Sequence, residues 1–254
     1  MFEKLSKSAK KYFKSSNHLQ YSGPYSSWDE AMSVSVGYDS DAVLKKVENA
    51  ILNVLNGVCK YERDGTNFDE LPQENKLLDK LKEIDLDNKS LLDFGGGLGS
   101  LYINYMDFFH KKNVNFLVLE QKKFFLKGNE LKKTFNLEIN YFESLIDINS
   151  IDVVILSSTL QYIENWKETI DKILAFSPKH IYIDRHPLGD EESQIYVQLN
   201  DNYYEEEVTY PIHILNQEEF LKSFEGYRLM DSWNSSFDPS YFKGFHLEKF
   251  ANSF

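Results

Sequence analysis

The sequence of 254 residues predicts an α/β fold in which a doubly wound, mostly parallel sheet follows a helical N-terminal extension. From Lys89 onward, short apolar runs alternate with segments of helical periodicity, which is typical of such a sheet. Residues 151–157 form a nearly continuous apolar run, as a strand requires when helices cover both of its faces. Gly95, Gly97 and Gly99 directly follow another apolar run, where such sheets place a ligand-binding turn.

The chain is predicted to have two parts. Residues 1–85 form a helical N-terminal region or lid, with loops where Gly and Pro cluster, and residues 86–254 form the sheet domain. Ser27 and Glu30 have the spacing of a capping box, which predicts the start of a helix. Apolar residues recur at helical intervals over residues 41–55 and predict a second helix there.

Seven strands, with helices between them, are predicted after Lys89. The strands fall at residues 90–94, 114–120, 138–142, 151–157, 180–184, 227–231 and 242–247. The spacing of apolar residues predicts a helix after the glycines, a Lys-rich helix after the second strand and a helix over residues 161–176. Ligands bind such sheets beyond the carboxyl ends of the strands, so the residues that follow each strand are the candidates for a site.

The composition restricts the class of partner and the compartment. The formal net charge of −12 disfavours nucleic acid, because an acidic surface repels the phosphate backbone. A basic stripe near the start is interpreted as a solvated helix face or a weak docking element for an anionic partner; it comprises Lys4, Lys7, Lys10, Lys11 and Lys14. The sequence has one cysteine, no apolar segment typical of a signal peptide and no apolar run long enough to span a membrane. Together these features predict a soluble cytoplasmic protein. No clustered Cys and His residues indicate a metal site.

The glycine-rich segment and two carboxylates narrow the choice of cofactor. The three glycines permit a tight turn that a bound ligand can approach closely. A dinucleotide loop of the G-x-G-x-x-G type needs a small residue where this chain has Ser100, so NAD is the weaker alternative and stays open. Asp93 stands just before the loop, where a carboxylate favours a ligand with an ammonium and a sulfonium group over a pyrophosphate. Glu120 ends the second strand, where it can accept hydrogen bonds from ribose hydroxyls.

These residues resemble the first two motifs of the class I S-adenosylmethionine (SAM) dependent methyltransferases. The first motif, an apolar strand, an acidic residue and G-x-G-x-G, matches residues 91–99, and the second matches Glu120. The resemblance implies a Rossmann-like, seven-stranded fold with SAM as the cofactor, its ribose on Glu120 and its adenine near residues 142–144. The cofactor-binding residues implied in this way are Asp93, Gly95, Gly96, Gly97, Gly99, Glu120, Gln121, Glu143, Ser144, Ser158 and Gln161.

A narrower resemblance covers nearly the whole chain and is to a bacterial group of methyltransferases from capsule, O-antigen and other surface-glycan pathways. It is carried by residues 23–28, 37–39, 61–64, 93–96, 120–121, 157–162 and 184–185. The resemblance implies O-methylation of a sugar, a sugar nucleotide or a related phosphorylated metabolite. The group commonly has Thr where this chain has His186, so a catalytic role for this histidine would not be shared across the group.

A hydroxyl acceptor needs a general base, and the end of the fifth strand offers the candidates. We predict His186 as the base, since it lies on the ligand edge and a histidine titrates near neutral pH. Asp184 would orient this histidine or act as the base itself, and Arg185 would bind an anionic acceptor. The alternatives are a packed loop histidine and a structural ion pair between Asp184 and Arg185. Further contacts with the acceptor are predicted at Tyr25, Trp28, Arg63 and Tyr162.

Two other functions stay open from the sequence. A nicotinamide-dependent oxidoreductase would share the strand, the glycine turn and the carboxylate for the ribose. A protein that binds SAM or a partner without catalysis would keep the same cofactor loop, because the loop carries no information about turnover. The oligomeric state and the methylated atom are not indicated by any motif.

Overall fold

The computed structural model describes residues 19–36, 41–200, 208–235 and 242–250. The helices are α1 Trp28–Ser33, α2 Asp41–Leu55, α3 Lys76–Leu81, α4 Ser100–Asn104, α5 Met106–Lys111, α6 Lys122–Phe135, α7 Trp166–Leu174 and α8 Gln217–Lys222. The strands are β1 Leu19–Tyr25, β2 Tyr61–Arg63, β3 Thr66–Phe68, β4 Ser90–Phe94, β5 Asn115–Leu119, β6 Ile139–Phe142, β7 Val153–Ser157, β8 His180–Gly189, β9 Gln194–Asn200, β10 Val208–Asn216, β11 Tyr227–Asn234 and β12 Phe242–Lys249. The N-terminal lysine stripe and residues 37–39 lie outside the described residues.

Seven strands form the central sheet in the order β6-β5-β4-β7-β8-β12-β11. The strands from β6 to β8 are parallel, whereas β12 runs antiparallel to both β8 and β11. Each of the seven predicted strands corresponds to one of these strands, so the doubly wound, mostly parallel sheet is confirmed. Asp93 on β4 pairs with Val118 on β5 and with Ile155 on β7. This register brings the carboxyl ends of the parallel strands to one edge of the sheet.

Apolar side chains cover both faces of the central sheet. Leu91 and Leu92 are adjacent in β4 and point to opposite faces, because successive residues of a strand alternate. Leu91 packs in the layer that contains α2 to α6, and Leu92 packs in the layer that contains α7 and α8. Both are fully buried, and each burial contributes about 2 kcal/mol to folding. Val154 and Ile155 alternate in the same way, which explains the continuous apolar run of β7.

A three-stranded antiparallel extension, β1-β9-β10, joins the central sheet. The fifth predicted strand continues past Asp184, and the last residues of β8, Leu188 and Gly189, pair in parallel with β10. The prediction of helices and loops is wrong for Leu19–Tyr25, which form the outer strand of the extension. Pairing with β9, far along the chain, and packing of Tyr21 into a cluster of the extension decide the conformation of this segment.

The helical predictions are confirmed for some segments and shortened in others. The second predicted helix coincides with α2, and the Ser27 hydroxyl accepts a hydrogen bond from the Glu30 N–H at 3.1 Å at the start of α1. The helix predicted over residues 161–176 begins only at Trp166, because Leu160–Tyr162 form a 3-10 turn. No helix in the described part of the chain is long and apolar enough to cross a membrane.

Candidate active site

A cavity of about 210 Å³ lies at the carboxyl ends of β4, β5, β7 and β8. The glycine loop after β4 lines it, and the β2–β3 hairpin brings residues of the N-terminal part to the same space. Its polar lining comprises Glu62, Arg63, Asp64, Asn75, Lys76, Asp93, Ser100, Asn104, Glu120, Ser157, Asp184, Arg185 and Ser235. The cavity therefore joins the predicted cofactor loop to three of the predicted acceptor residues. Those three are Arg63, Asp184 and Arg185.

The loop after β4 requires glycine at Gly95 and Gly97, whose φ angles of 74° and 60° lie in the left-handed region. A side chain at Gly95 would collide with Thr159. The Thr159 hydroxyl is held in place by hydrogen bonds to the carbonyl oxygens of Phe94 and Ser157, both at 2.9 Å. Gly97 instead has nothing within 4 Å of the position that a Cβ would take. Its backbone is thus open to a ligand in the cavity.

Asp93 lies at the end of β4 with 5% of its surface exposed. Its carboxyl group makes no hydrogen bond or ion pair within the described residues. Burial, and after it the charge of Glu120, raises the pKa of Asp93 to about 7. A buried carboxyl group without a partner ionises readily once a cation is placed beside it. This group therefore fits a ligand that carries a positive charge.

Glu120 follows β5 and ties the glycine loop to the neighbouring strand. Its Oε1 accepts a hydrogen bond from the Gly97 N–H at 3.0 Å, and its Oε2 accepts one from the Gln121 N–H at 2.8 Å. Burial raises the pKa of Glu120, while the two N–H groups lower it. Each oxygen can accept a further hydrogen bond, so the carboxylate can receive the two hydroxyls of a ribose.

Asp184 and Arg185 lie at the β8 side of the cavity. The Trp233 Nε1–H donates a hydrogen bond to Asp184 Oδ1 at 2.8 Å. Arg185 Nη2 donates to Asp64 Oδ2 of the hairpin at 2.7 Å, and Arg63 lies 3.5 Å from the same oxygen. Burial would raise the pKa of Asp64, but the two arginines, Arg185 foremost, hold it below its ordinary value. Two guanidinium groups therefore converge on one anionic group at the cavity.

The backbone at this edge is strained at residues that are not glycine. Asp64, Ser158 and Arg185 have φ angles of 51°, 54° and 57°, which are uncommon for such side chains. The Ser158 N–H donates to the Asp184 carbonyl oxygen at 2.9 Å. This hydrogen bond links the turn at Ser158 to the turn at Arg185, the residue after Asp184. Strain of this kind persists only where the surrounding contacts enforce it, and it is concentrated at ligand sites.

His186 is fully buried and does not line the cavity. One ring nitrogen, Nδ1, is 2.9 Å from the Asp184 carbonyl oxygen, and Nε2 accepts the Leu160 N–H at 3.3 Å. The ring also stacks on Phe220 at 5.5 Å. Burial lowers the pKa of His186 to about 4. This geometry opposes the predicted general-base role, because both nitrogens bind the backbone and neither reaches the cavity.

Gln161 and Tyr162 do not line the cavity but pack near the residues of its wall. Gln161 is fully buried, and its Nε2 donates to Ser158 Oγ at 2.8 Å and to the Arg185 carbonyl at 3.3 Å. These bonds stabilise the strained turns and occupy the amide nitrogen of Gln161, whereas its Oε1 is buried without a hydrogen-bond partner. Tyr162 packs edge to face on Tyr210 of the extension, with ring centroids 5.1 Å apart.

Two further acceptor candidates lie in the extension and outside the cavity wall. The Tyr25 hydroxyl bonds to the Ser22 hydroxyl at 3.0 Å within β1. The Trp28 ring stacks on His213 of β10 with centroids 4.6 Å apart. The Tyr25 contact lies within β1 and the Trp28 contact holds α1 on β10, and neither residue lines the cavity that contains the glycine loop.

Three cofactor candidates lie at the carboxyl ends of β5 and β6 but beyond the cavity wall. Gln121 precedes α6, and Glu143 follows β6. The Ser144 hydroxyl accepts a hydrogen bond from the Ile146 N–H at 3.3 Å and caps a 3-10 turn. Their contact with a cofactor stays a prediction, since they share the ligand edge of the sheet.

Glu62 is a cavity residue that our sequence-based predictions of the site did not include. It lies on the β2–β3 hairpin and is 1% exposed. The dipeptide Asp64-Gly65, between two short segments of alternating residues, is a hairpin signal that would have found this element. No group of three or more His, Cys, Asp or Glu side chains in the described residues could hold a metal ion.

The α/β fold with its mostly parallel central sheet is shared by solved structures of class I methyltransferases. The CcbJ methyltransferase from Streptomyces caelestis is 12% identical with a TM-score of 0.51, over 84% of this chain and all of that chain. The N-terminal domain of EvdMO1, solved in the presence of SAH and D-fucose, is 10% identical with a TM-score of 0.51, over 84% of this chain and 97% of that chain.

A SAM-dependent methyltransferase from Clostridium acetobutylicum is 10% identical with a TM-score of 0.50, over 69% of this chain and 89% of that chain. No protein-family profile matches the sequence, and no curated protein is similar to it in sequence. At these low identities, the likeness to the solved structures concerns the fold.

Proposed function

We propose that this protein is a SAM-dependent methyltransferase that acts on a small anionic acceptor. The observation that carries the proposal is the unpartnered, buried Asp93 carboxyl group beside an open glycine backbone, with Glu120 on the next strand. SAM presents a cationic portion next to a ribose, so these residues fit it. The similar folds of solved methyltransferases support the same assignment.

In this proposal, Asp93, the backbone of Gly95–Gly97 and Glu120 hold the cofactor. When bound, SAM supplies a methyl group on a sulfonium sulfur. Asp184 lines the cavity and accepts the proton of the acceptor hydroxyl, while the bond from Trp233 fixes the orientation of its carboxylate. Alignment of donor and acceptor is the main contribution of the protein to a displacement of this kind.

Arg185 and Arg63 bind the anionic group of the acceptor. Both arginines line the cavity and contact the Asp64 carboxylate. A phosphate or carboxylate of the acceptor is also anionic, so it can replace Asp64 as their partner. We infer that the acceptor is a sugar, a sugar nucleotide or a related phosphorylated metabolite, methylated on oxygen in a cytoplasmic step of surface-polysaccharide biosynthesis. The sequence resemblance to that group supports the inference, and the net charge of −12 disfavours nucleic acid.

A nicotinamide cofactor fits these residues less well than SAM. The buried Asp93 carboxyl group borders the loop along which its pyrophosphate would lie, whereas Glu120 suits the ribose of either cofactor. Anionic ligands are repelled by such groups in a site of low dielectric constant. The absence of enhanced fluorescence from reduced nicotinamide on mixing with the protein is therefore the expected result.

Two measurements test the proposal. Calorimetry with S-adenosylhomocysteine (SAH) should show binding at micromolar to low millimolar concentration, and no binding of SAH or SAM at millimolar concentration would refute the cofactor assignment. Labelled SAM should then transfer its methyl group to a member of a panel of sugar nucleotides and sugar phosphates. SAH binding without transfer to any of them would favour a non-catalytic SAM-binding protein.

A further inference from the structure

The Glu62 carboxyl group is the second buried acid of the cavity, and the proposed reaction does not use it. Its Oε2 accepts a hydrogen bond from the Gly65 N–H at 3.2 Å. Its Oε1 is buried and has no hydrogen-bond partner. An unpartnered buried acceptor destabilises the folded protein, and more so when it is charged, which is consistent with a ligand that supplies the missing donor.

The hairpin fixes Glu62 next to the glycine loop. The Glu62 N–H donates to Asn104 Oδ1 at 3.1 Å, and Asn104 Nδ2 returns a hydrogen bond to the Glu62 carbonyl at 2.8 Å. Asn104 belongs to α4, the helix that directly follows the loop. The side chain of Ser100, the first residue of this helix, lies close enough to the Glu62 carboxyl group to lower its pKa. Its oxygen atoms therefore lie beside the start of α4, next to whatever ligand lies along the glycines.

We propose that Glu62 binds the ammonium group of the methionine portion of SAM, opposite Asp93, so that the hairpin completes the cofactor site. The proposal rests on the proposed function. A primary ammonium has three N–H donors, which can serve both the unpartnered Glu62 Oε1 and the Asp93 carboxyl group. The acceptor hydroxyl is the less suitable ligand for Glu62, because the acceptor side of the cavity is formed by Asp184 and Arg185 of β8.

The charges around Glu62 agree with a cationic ligand. Burial, and to a smaller extent Asp64, raises the pKa of Glu62 to about 7, against the lowering effect of Ser100 and Gly65. The charged groups that face the same cavity from other elements are Lys76 at the start of α3, Asp93 of β4, Glu120 after β5, and Asp184 and Arg185 of β8; Arg63 and Asp64 share its hairpin. An ammonium group would lower the pKa of Glu62, so SAH binding near neutral pH should release protons.

Calorimetry with two ligands tests the proposal: SAH, and 5′-methylthioadenosine, which lacks the amino-acid portion. We expect Glu62→Gln to weaken SAH binding by about 10-fold or more, because a charged hydrogen bond is lost. The affinity for 5′-methylthioadenosine should stay unchanged. The variant should also release fewer protons on binding SAH near pH 7, measured in buffers of different ionisation enthalpy. Glu70→Gln removes the same charge from an exposed position just after the hairpin, outside the cavity wall, and should change neither affinity.

Glu62→Asp guards against a folding defect, because it keeps the charge and withdraws the oxygen atoms by one methylene. It should also weaken the binding of SAH without changing the affinity for 5′-methylthioadenosine. Thermal unfolding identifies any variant that does not fold. Unchanged SAH affinity in the folded variants would overturn the proposal, as would an equal loss for both ligands. If the unaltered protein binds neither ligand, the proposed function itself fails, which is a different result.

Discussion

Replacement of Asp93 by asparagine should stabilise the ligand-free protein at alkaline pH and weaken its binding of SAH. The folded-state pKa of Asp93 is about 7 and its ordinary value is 3.8. As the pH rises through this interval, the unfolded chain loses the proton while the folded protein retains it. The stability contributed by this group is therefore present below about pH 4 and is lost as the pH rises through 7.

The size of the effect follows from the same interval. At about 1.4 kcal/mol per pH unit, the full loss is of the order of 4 kcal/mol. We expect about 2 kcal/mol, because water in the cavity partly solvates the ionised carboxylate. Asparagine does not ionise, so the free energy of unfolding of Asp93→Asn relative to the unaltered protein should rise by about 1 kcal/mol between about pH 5 and about pH 8, which covers the upper part of this interval.

Urea denaturation at the two pH values measures this difference, and other titrating groups cancel in the comparison of the two proteins. Calorimetry should show that the variant binds SAH at least about 10-fold more weakly, since a charged hydrogen bond is lost. A stability difference that does not depend on pH would refute the argument. So would unchanged affinity for SAH.

Four other substitutions test the assignments of single residues. Asp184→Asn should lower kcat by about 100-fold or more with unchanged SAH affinity, measured with labelled SAM and the acceptor found in the panel; a loss of SAH affinity instead would place Asp184 at the cofactor. His186→Ala should destabilise by about 2–3 kcal/mol in urea denaturation, because it leaves the Leu160 N–H unpaired and a cavity behind, and a selective loss of turnover with unchanged stability would restore the general-base role. Gly95→Ala should lower the thermal midpoint more than Gly97→Ala, because only Gly95 abuts a neighbouring side chain, and equal losses would contradict this reading of the loop.

The central sheet and the cofactor loop could be predicted because their causes are local. β4 and β7 are covered on both faces, so the sequence itself carries an uninterrupted apolar run. The positive φ angles of Gly95 and Gly97 require glycine, which makes the loop visible as a spacing. The strand ends then follow from the parallel arrangement, and with them the positions of Asp93, Glu120 and Asp184.

The remaining features depend on contacts between distant segments. β1 is a strand because β9 pairs with it, and the segment itself contains a Gly-Pro pair that favours a loop. His186 lies at the ligand edge in the sequence, but only the packing of Leu160 and Phe220 around it turns its ring away from the cavity. Glu62 was missed for the same reason, because its approach to the glycine loop depends on Asn104.

The strand β1 has a consequence for work with shortened forms of the protein. A fragment that begins at Asp41 would keep every residue that lines the cavity, since these start at Val47. It would nevertheless lose β1 and leave β9 with an open row of N–H and C=O groups. Such an edge recruits other chains, so the fragment should form aggregates or swapped oligomers. The first described strand thus protects the protein against self-association while contributing no residue to the cavity.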